Sequence, residues 1–159
     1  MTPRIETMPE KKFIGMRMTL SYADYRTGEL WSGFMPRKKE IKNSVSAELF
    51  GITIYQPGYF ENFNPANPFE KWAAVEVSND EQVPLGLETL AFKGGHYAIF
   101  TYIGSNTGIA GFYQYIFTEW LPNSAYLLDE RPHVEVLGPK YKNNDPASEE
   151  DIWIPILPK

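Results

Sequence analysis

The stretch Ile109-Ala110-Gly111-Phe112-Tyr113-Gln114-Tyr115-Ile116-Phe117-Thr118-Glu119-Trp120-Leu121-Pro122 carries the clearest periodicity in the chain. Ile109, Phe112, Tyr113, Ile116, Phe117 and Trp120 recur every three or four residues, which draws one apolar face of a helix, and Pro122 marks its stop. Upstream, a β-prone run from Leu87 to Gly104 is split by Gly94-Gly95; downstream, two more β-prone runs cover 132–138 and 151–157.

The first half of the chain repeats this order. A long, bent strand over 4–20 is interrupted by Pro9 and Lys11-Lys12. Leu30, Trp31, Phe34 and Met35 then take helical spacing, predicting a helix over 28–42 with Thr27 as N-cap and Pro36 as a kink or early end. Strands over 49–56 and 71–78 follow. They are joined by a connection rich in Asn, Pro and Gly that also holds Tyr59, Phe60, Phe63 and Phe69, too aromatic for a merely solvated loop and suited to covering a cleft. Leu87-Glu88-Thr89-Leu90 echoes Ile5-Glu6-Thr7-Met8, and Trp120-Leu121-Pro122 answers Phe34-Met35-Pro36.

The expected architecture is therefore α+β: one domain over 1–159, built from a duplicated β-α-β-β unit with half-repeats at roughly 1–80 and 85–159. The units pair into an antiparallel sheet with two helices on one face, leaving the other face free to curve, and a ligand cleft lies between the pseudo-symmetric halves.

Composition narrows the function. The chain has no cysteine, which removes disulfides, thiolate nucleophiles and soft metal sites and suits a reducing cytoplasm. Neither a secretory leader nor a membrane-length apolar run is visible, so a cytoplasmic protein is expected. The net charge is −5 and the basic residues are scattered except at Arg37, Lys38, Lys39 and Lys42, a cluster that complements a helix C-terminus. No nucleic-acid or membrane partner is expected. Ten Tyr, ten Phe and four Trp exceed what a core of this size requires, which points to an aromatic-lined ligand site.

Alternation along Lys71-Trp72-Ala73-Ala74-Val75-Glu76-Val77 sends Ala73, Val75 and Val77 to the core and Trp72, Ala74 and Glu76 to the other face. In Pro132-His133-Val134-Glu135-Val136-Leu137, Val134 and Val136 face the core, and Glu135 shares its face with His133. Glu76 and Glu135 are the candidate acidic groups of a cleft for aromatic or cationic small molecules. Tyr55, Trp72, Tyr97, Phe112, Trp120 and His133 are candidate ligand-binding residues. Tyr113 and Trp120 lie on the apolar stripe of the second helix, where a core role competes with a role in the site. With two histidines and no local His/Asp cluster, neither metal nor cofactor is expected. Ser105 and Ser124 lack a nucleophile-elbow setting, and Gly94-Gly95 lacks a phosphate loop.

The ordered set Trp72-Ala73-Ala74-Val75-Glu76-Val77, Phe117-Thr118-Glu119-Trp120-Leu121-Pro122, Arg131-Pro132-His133-Val134-Glu135-Val136 and Asp151-Ile152-Trp153-Ile154-Pro155-Ile156 resembles the GyrI-like small-molecule-binding domain, also found as the effector-binding domain of AraC-type and MerR-type regulators. The resemblance implies a cleft between two halves and a buried glutamate that meets cationic aromatic drugs, matched here by Glu135, with Glu76 its approximate counterpart. Because Arg4 already begins the first strand, no helix-turn-helix is expected ahead of it, and a stand-alone member is implied. Such members resemble drug-resistance proteins that sequester toxic compounds, oppose gyrase poisons, or hydrolyse cyclopropane-containing DNA-alkylating natural products. Under the last of these, Glu135 activates water, Glu76 tunes it and Tyr113 donates to the developing phenolate. Three classes thus stand: a hydrolase, a passive binder and a gyrase-interacting protein.

Overall fold

The computed structural model describes residues 2–159. Among these residues nine strands form the sheet: β1 (Arg4–Met8), β2 (Lys11–Leu20), β3 (Leu49–Ile54), β4 (Phe69–Val77), β5 (Glu88–Phe92), β6 (Gly95–Ile103), β7 (Tyr126–Leu128), β8 (His133–Leu137) and β9 (Glu149–Pro158). Helix α1 (Thr27–Phe34) follows β2 and α2 (Ile109–Tyr115) follows β6. All strand pairs are antiparallel, in the order β1-β6-β9-β8-β3-β4-β2-β5, with β7 paired to β9. Matching β1 with β5, β6 with β2, β9 with β4 and β8 with β3 makes that order read alike from both ends, and the pseudo-twofold axis runs between β3 and β8.

The long first strand expected from the sequence is two strands lying at opposite ends of the sheet. β1 pairs with β6 of the second half, while β5 of the second half pairs with β2 of the first. Only Pro9-Glu10 separates β1 from β2 and only Lys93-Gly94 separates β5 from β6. Such short links force the two ends of the sheet to meet, so the sheet curls strongly. Gly94 makes the crossing feasible: it holds φ +80°, and a Cβ there would stand 2.2 Å from the Met8 carbonyl oxygen.

The helix-free concave face is thereby closed. It is filled by Phe13, Phe50, Trp72, Phe92, Tyr97 and Trp153, and much of the aromatic excess is spent in this core. On the convex face α1 covers Ile14, Ala73, Val75 and Val77, and α2 covers Ala98, Phe100, Ile152 and Ile154. Between the helices the central strands β3 and β8 lie open.

Helix details differ from the sequence pattern for local reasons. Pro36 lacks an N–H, and α1 gives way after Phe34 to a tight 3-10 segment, Met35–Glu40. Arg26 occupies the cap position without a capping side-chain hydrogen bond, and Thr27 is the first helical residue. Pro122 does not stop α2: a wide π turn, Ile116–Trp120, leads into one more turn, Leu121–Asn123, in whose first positions proline is tolerated. The short strand β7, a plain Tyr-Leu-Leu run, has no counterpart in the sequence reading. No helix among the described residues is long and apolar enough to cross a membrane.

Candidate functional site

Register decides which side chains meet in the gap between the helices. Across β4, β3 and β8, Lys71, Thr53 and His133 form one row, and Ala73, Gly51 and Glu135 form the next. Opposed residues of an antiparallel pair point to the same face, so both rows share the convex face with the helices. The resulting cleft of about 640 Å³ has Gly51, Lys71 and Glu135 in its floor, Tyr25, Thr27, Trp31 and Met35 on the α1 side, and Asn106, Ile109, Tyr141 and Glu150 on the other.

Lys71 is 4 % exposed. Its Nζ donates to Thr53 Oγ1 at 2.9 Å and to Glu135 Oε1 at 3.2 Å. Burial works against this charge, but attraction to Glu135 and to the Tyr25 and Tyr22 hydroxyls prevails and lifts the ammonium above its usual pKa. Tyr113, reaching in from α2, donates its hydroxyl to the same Glu135 oxygen at 3.1 Å. Burial, reinforced by the Glu135 charge, pushes the Tyr113 phenol well up, which keeps it protonated and a donor. Among the described residues, Glu135 Oε2 has no protein donor.

Glu150 is the second carboxyl of the cleft. Burial first and the Glu135 charge second raise it to about 7, with Lys71 opposing. A carboxyl raised in this way keeps its proton between an ordinary value of 4.5 and about 7, where the unfolded chain has lost it, so stability falls as pH rises through that window. Glu150→Gln is expected to remove this fall. Urea unfolding at pH 8 should find the variant more stable by about 1–2 kcal/mol, a figure reduced for the partial exposure of the group, and no gain at pH 4.5.

Beside the cleft, His133 (8 % exposed) is enclosed by Tyr55, Phe60 and Phe117. Burial and the nearby Lys71 charge depress its imidazole to about 3, so it is neutral. The aromatic connection between β3 and β4 builds this wall: Phe60 stacks on Phe117 at 5.4 Å, and Tyr59 packs on Tyr55. Together with the turn before β8 it encloses a smaller hollow of about 220 Å³ lined by Tyr55, Tyr59, Phe60, Arg131 and His133. Tyr22 and Tyr55 share a hydrogen bond, and burial raises both phenols. No group of three or more His, Cys, Asp or Glu suited to a metal ion occurs among the described residues.

The profile of the GyrI-like small molecule binding domain matches residues 1–157. The chain belongs to the GyrI-like family. This GyrI-like chain is 28% identical over 158 residues to the transcriptional regulator BrlR of Pseudomonas aeruginosa, covering 98% of its own length and 56% of the regulator; it thus spans about half the length of that curated relative. In fold it resembles SAV2435, solved bound to tetraphenylphosphonium (16% identity, TM-score 0.68, covering 99% and 94% of the two chains). It also resembles a hydrolase encoded by lin2189 from Listeria innocua (13% identity, TM-score 0.56, covering 98% and 92%). At such identities the likeness shows the fold alone.

Within this GyrI-like fold the residues singled out in the sequence separate into two groups. Glu135 and Tyr113 meet through a hydrogen bond, and Tyr55 and His133 stand in the adjoining wall. The others lie elsewhere. Glu76 is on the opposite face, paired with Lys11 at 3.2 Å, and it belongs to β4, whose pseudo-symmetric partner is β9 rather than β8. The position facing Glu135 across the axis is Gly51. Trp72 and Tyr97 are in the concave core, while Phe112 of α2 and Trp120 of the following π turn pack onto Phe100 at 5.9 and 5.1 Å.

Lys71, Gly51, Tyr25, Trp31 and Glu150 were not singled out. For Lys71 a signal existed, because the alternation that buries Ala73 and Val75 buries Lys71 with them, and a buried ammonium requires a counter-ion.

Proposed function

We propose that the chain binds a flat organic molecule in the cleft between α1 and α2 and adds water to an electrophilic ring in it, of the kind carried by cyclopropane-containing DNA-alkylating compounds. The observation that carries this reading is the seating of Glu135: both protein donors converge on Oε1, leaving Oε2 free to accept from a water molecule. In the step, Glu135 takes a proton from water and the oxygen bonds to the ring methylene. The bond between methylene and ring carbon breaks, and its electron pair passes into the conjugated carbonyl, which becomes a phenolate. The phenolate then takes up a proton, and Glu150, near half protonated at neutral pH, is the donor the cleft offers. Tyr113, committed to Glu135, serves as a positioning residue in this reading rather than as the proton donor. Trp31, Tyr25 and Tyr141 supply aromatic surface for stacking.

Two relatives in fold support the reading: one is a hydrolase, and another holds an aromatic cation. The second also favours the alternative that the cleft sequesters its guest without changing it. Incubating the purified chain with a cyclopropane-bearing alkylator in H₂¹⁸O separates the two. The expected product is ring-opened and carries one labelled oxygen. Saturable binding without product overturns hydrolysis in favour of sequestration, and absence of binding overturns both.

A further inference from the structure

The Lys71–Glu135 pair bears on which guests the cleft admits. Lys71 is not a mobile surface lysine. It projects from β4, is 4 % exposed, and is tied on one side to Thr53 and on the other to Glu135. Gly51 stands directly opposite both Ala73 and Glu135 in the sheet, and even a Cβ at that position would lie 3.6 Å from Nζ and 3.8 Å from the Glu135 Cβ. With glycine there, no side chain from that position covers the pair, and Lys71 and Glu135 both line the cleft. The other ionisable groups around it are Tyr22, Tyr25, Tyr55, Tyr113 and Tyr141, whose phenols burial raises and keeps neutral, His133, which burial and the Lys71 charge keep neutral, and Glu150.

We propose that Lys71 is a resident counter-ion that fills the cationic position beside Glu135, so that the cleft selects uncharged or oxyanion-bearing aromatic guests over permanent organic cations. The inference rests on the reading of this cleft as the ligand site. A guest cation drawn toward Glu135 meets a fixed ammonium 3.2 Å from the same oxygen, and in a partly dry site like charges repel strongly. A carbonyl oxygen gathering negative charge meets the same ammonium favourably, which suits the polarised dienone of the proposed substrate class. By this account the chain differs in charge preference from its relative in fold that holds tetraphenylphosphonium.

Tetraphenylphosphonium and tetraphenylborate have nearly the same shape and opposite charge, so titrating both into the full chain at low salt isolates the charge term. Only changes in the ratio of the two dissociation constants are read, which cancels their different hydration. Lys71→Met is expected to move the ratio toward phosphonium by about tenfold or more, and Glu135→Gln to move it toward borate by a similar factor. The double variant, which removes both charges, should return to within about threefold of the parent. Equal ratios in all four proteins overturn the proposal while leaving the cleft reading intact, since the ions still bind. Failure of the folded parent to bind either ion overturns the cleft reading and the proposal with it. If one single variant does not fold, the other single variant and the double variant, which strands neither charge, decide the matter by the same ratios.

Discussion

Glu135→Gln is expected to lower turnover of a cyclopropane-bearing alkylator by about 10²–10⁴-fold, the usual worth of general-base assistance, while its affinity for the uncharged substrate stays within about tenfold. Glutamine keeps the shape of the side chain and an oxygen that can accept from Lys71 and Tyr113, so the floor of the cleft retains its hydrogen bonds. What it cannot do is take a proton from water. Single-turnover product formation beside equilibrium binding makes the measurement, with thermal unfolding to show that the variant is folded. Product formed at the parent rate would remove Glu135 from the chemistry. A parallel loss of binding and turnover would make it a structural anchor for Lys71.

The largest expected pH-dependent effect on stability belongs to His133. Its imidazole is neutral in the fold, depressed to about 3 by burial and then by Lys71, whereas the unfolded chain protonates it near 6.5. A depressed pKa contributes stability above the unfolded value and loses it as pH falls toward the folded value. The parent should therefore lose about 3 kcal/mol more than His133→Gln between pH 7 and pH 4, taking roughly 1.4 kcal/mol per pH unit across the part of the window that is crossed. Glu150 acts with the opposite sign over part of the same range, so the comparison is best made in a Glu150→Gln background. Chemical denaturation at several pH values gives the result. Parallel curves for the two proteins would mean that His133 is charged in the fold and that its aromatic enclosure is open to water.

Alternation and spacing made some of this molecule legible in advance. The apolar stripe from Ile109 to Trp120 gave α2, and the repeated order of elements gave two similar halves. Alternation also told which residues travel together: Glu76 with Trp72, and Glu135 with His133. It could not tell which face of the finished sheet each set would take, because that depends on pairing between distant strands. Only the register placing Gly51 opposite both Ala73 and Glu135 shows that Glu135 shares the helix-bearing face and Glu76 does not. The same limit concealed the use of the aromatics. Phe13, Phe50, Phe92 and Trp153 became a core on the face expected to be free, because two-residue corners curl the sheet, and no periodicity in the sequence records curvature.

The exchange of first strands between the halves restricts how a guest can enter. A receptor built from two separable lobes opens like a clam-shell about a hinge; here each lobe holds a strand of the other, and parting them would tear β1 from β6 and β5 from β2 together. The floor bearing Lys71 and Glu135 therefore behaves as a single stiff plate. Breathing falls to the rims, to Tyr25 and Trp31 on one side and to the turn holding Tyr141 on the other. Hydrogen exchange should find the amides of β3, β4 and β8 slow with or without a guest, and the effect of a guest confined to those margins.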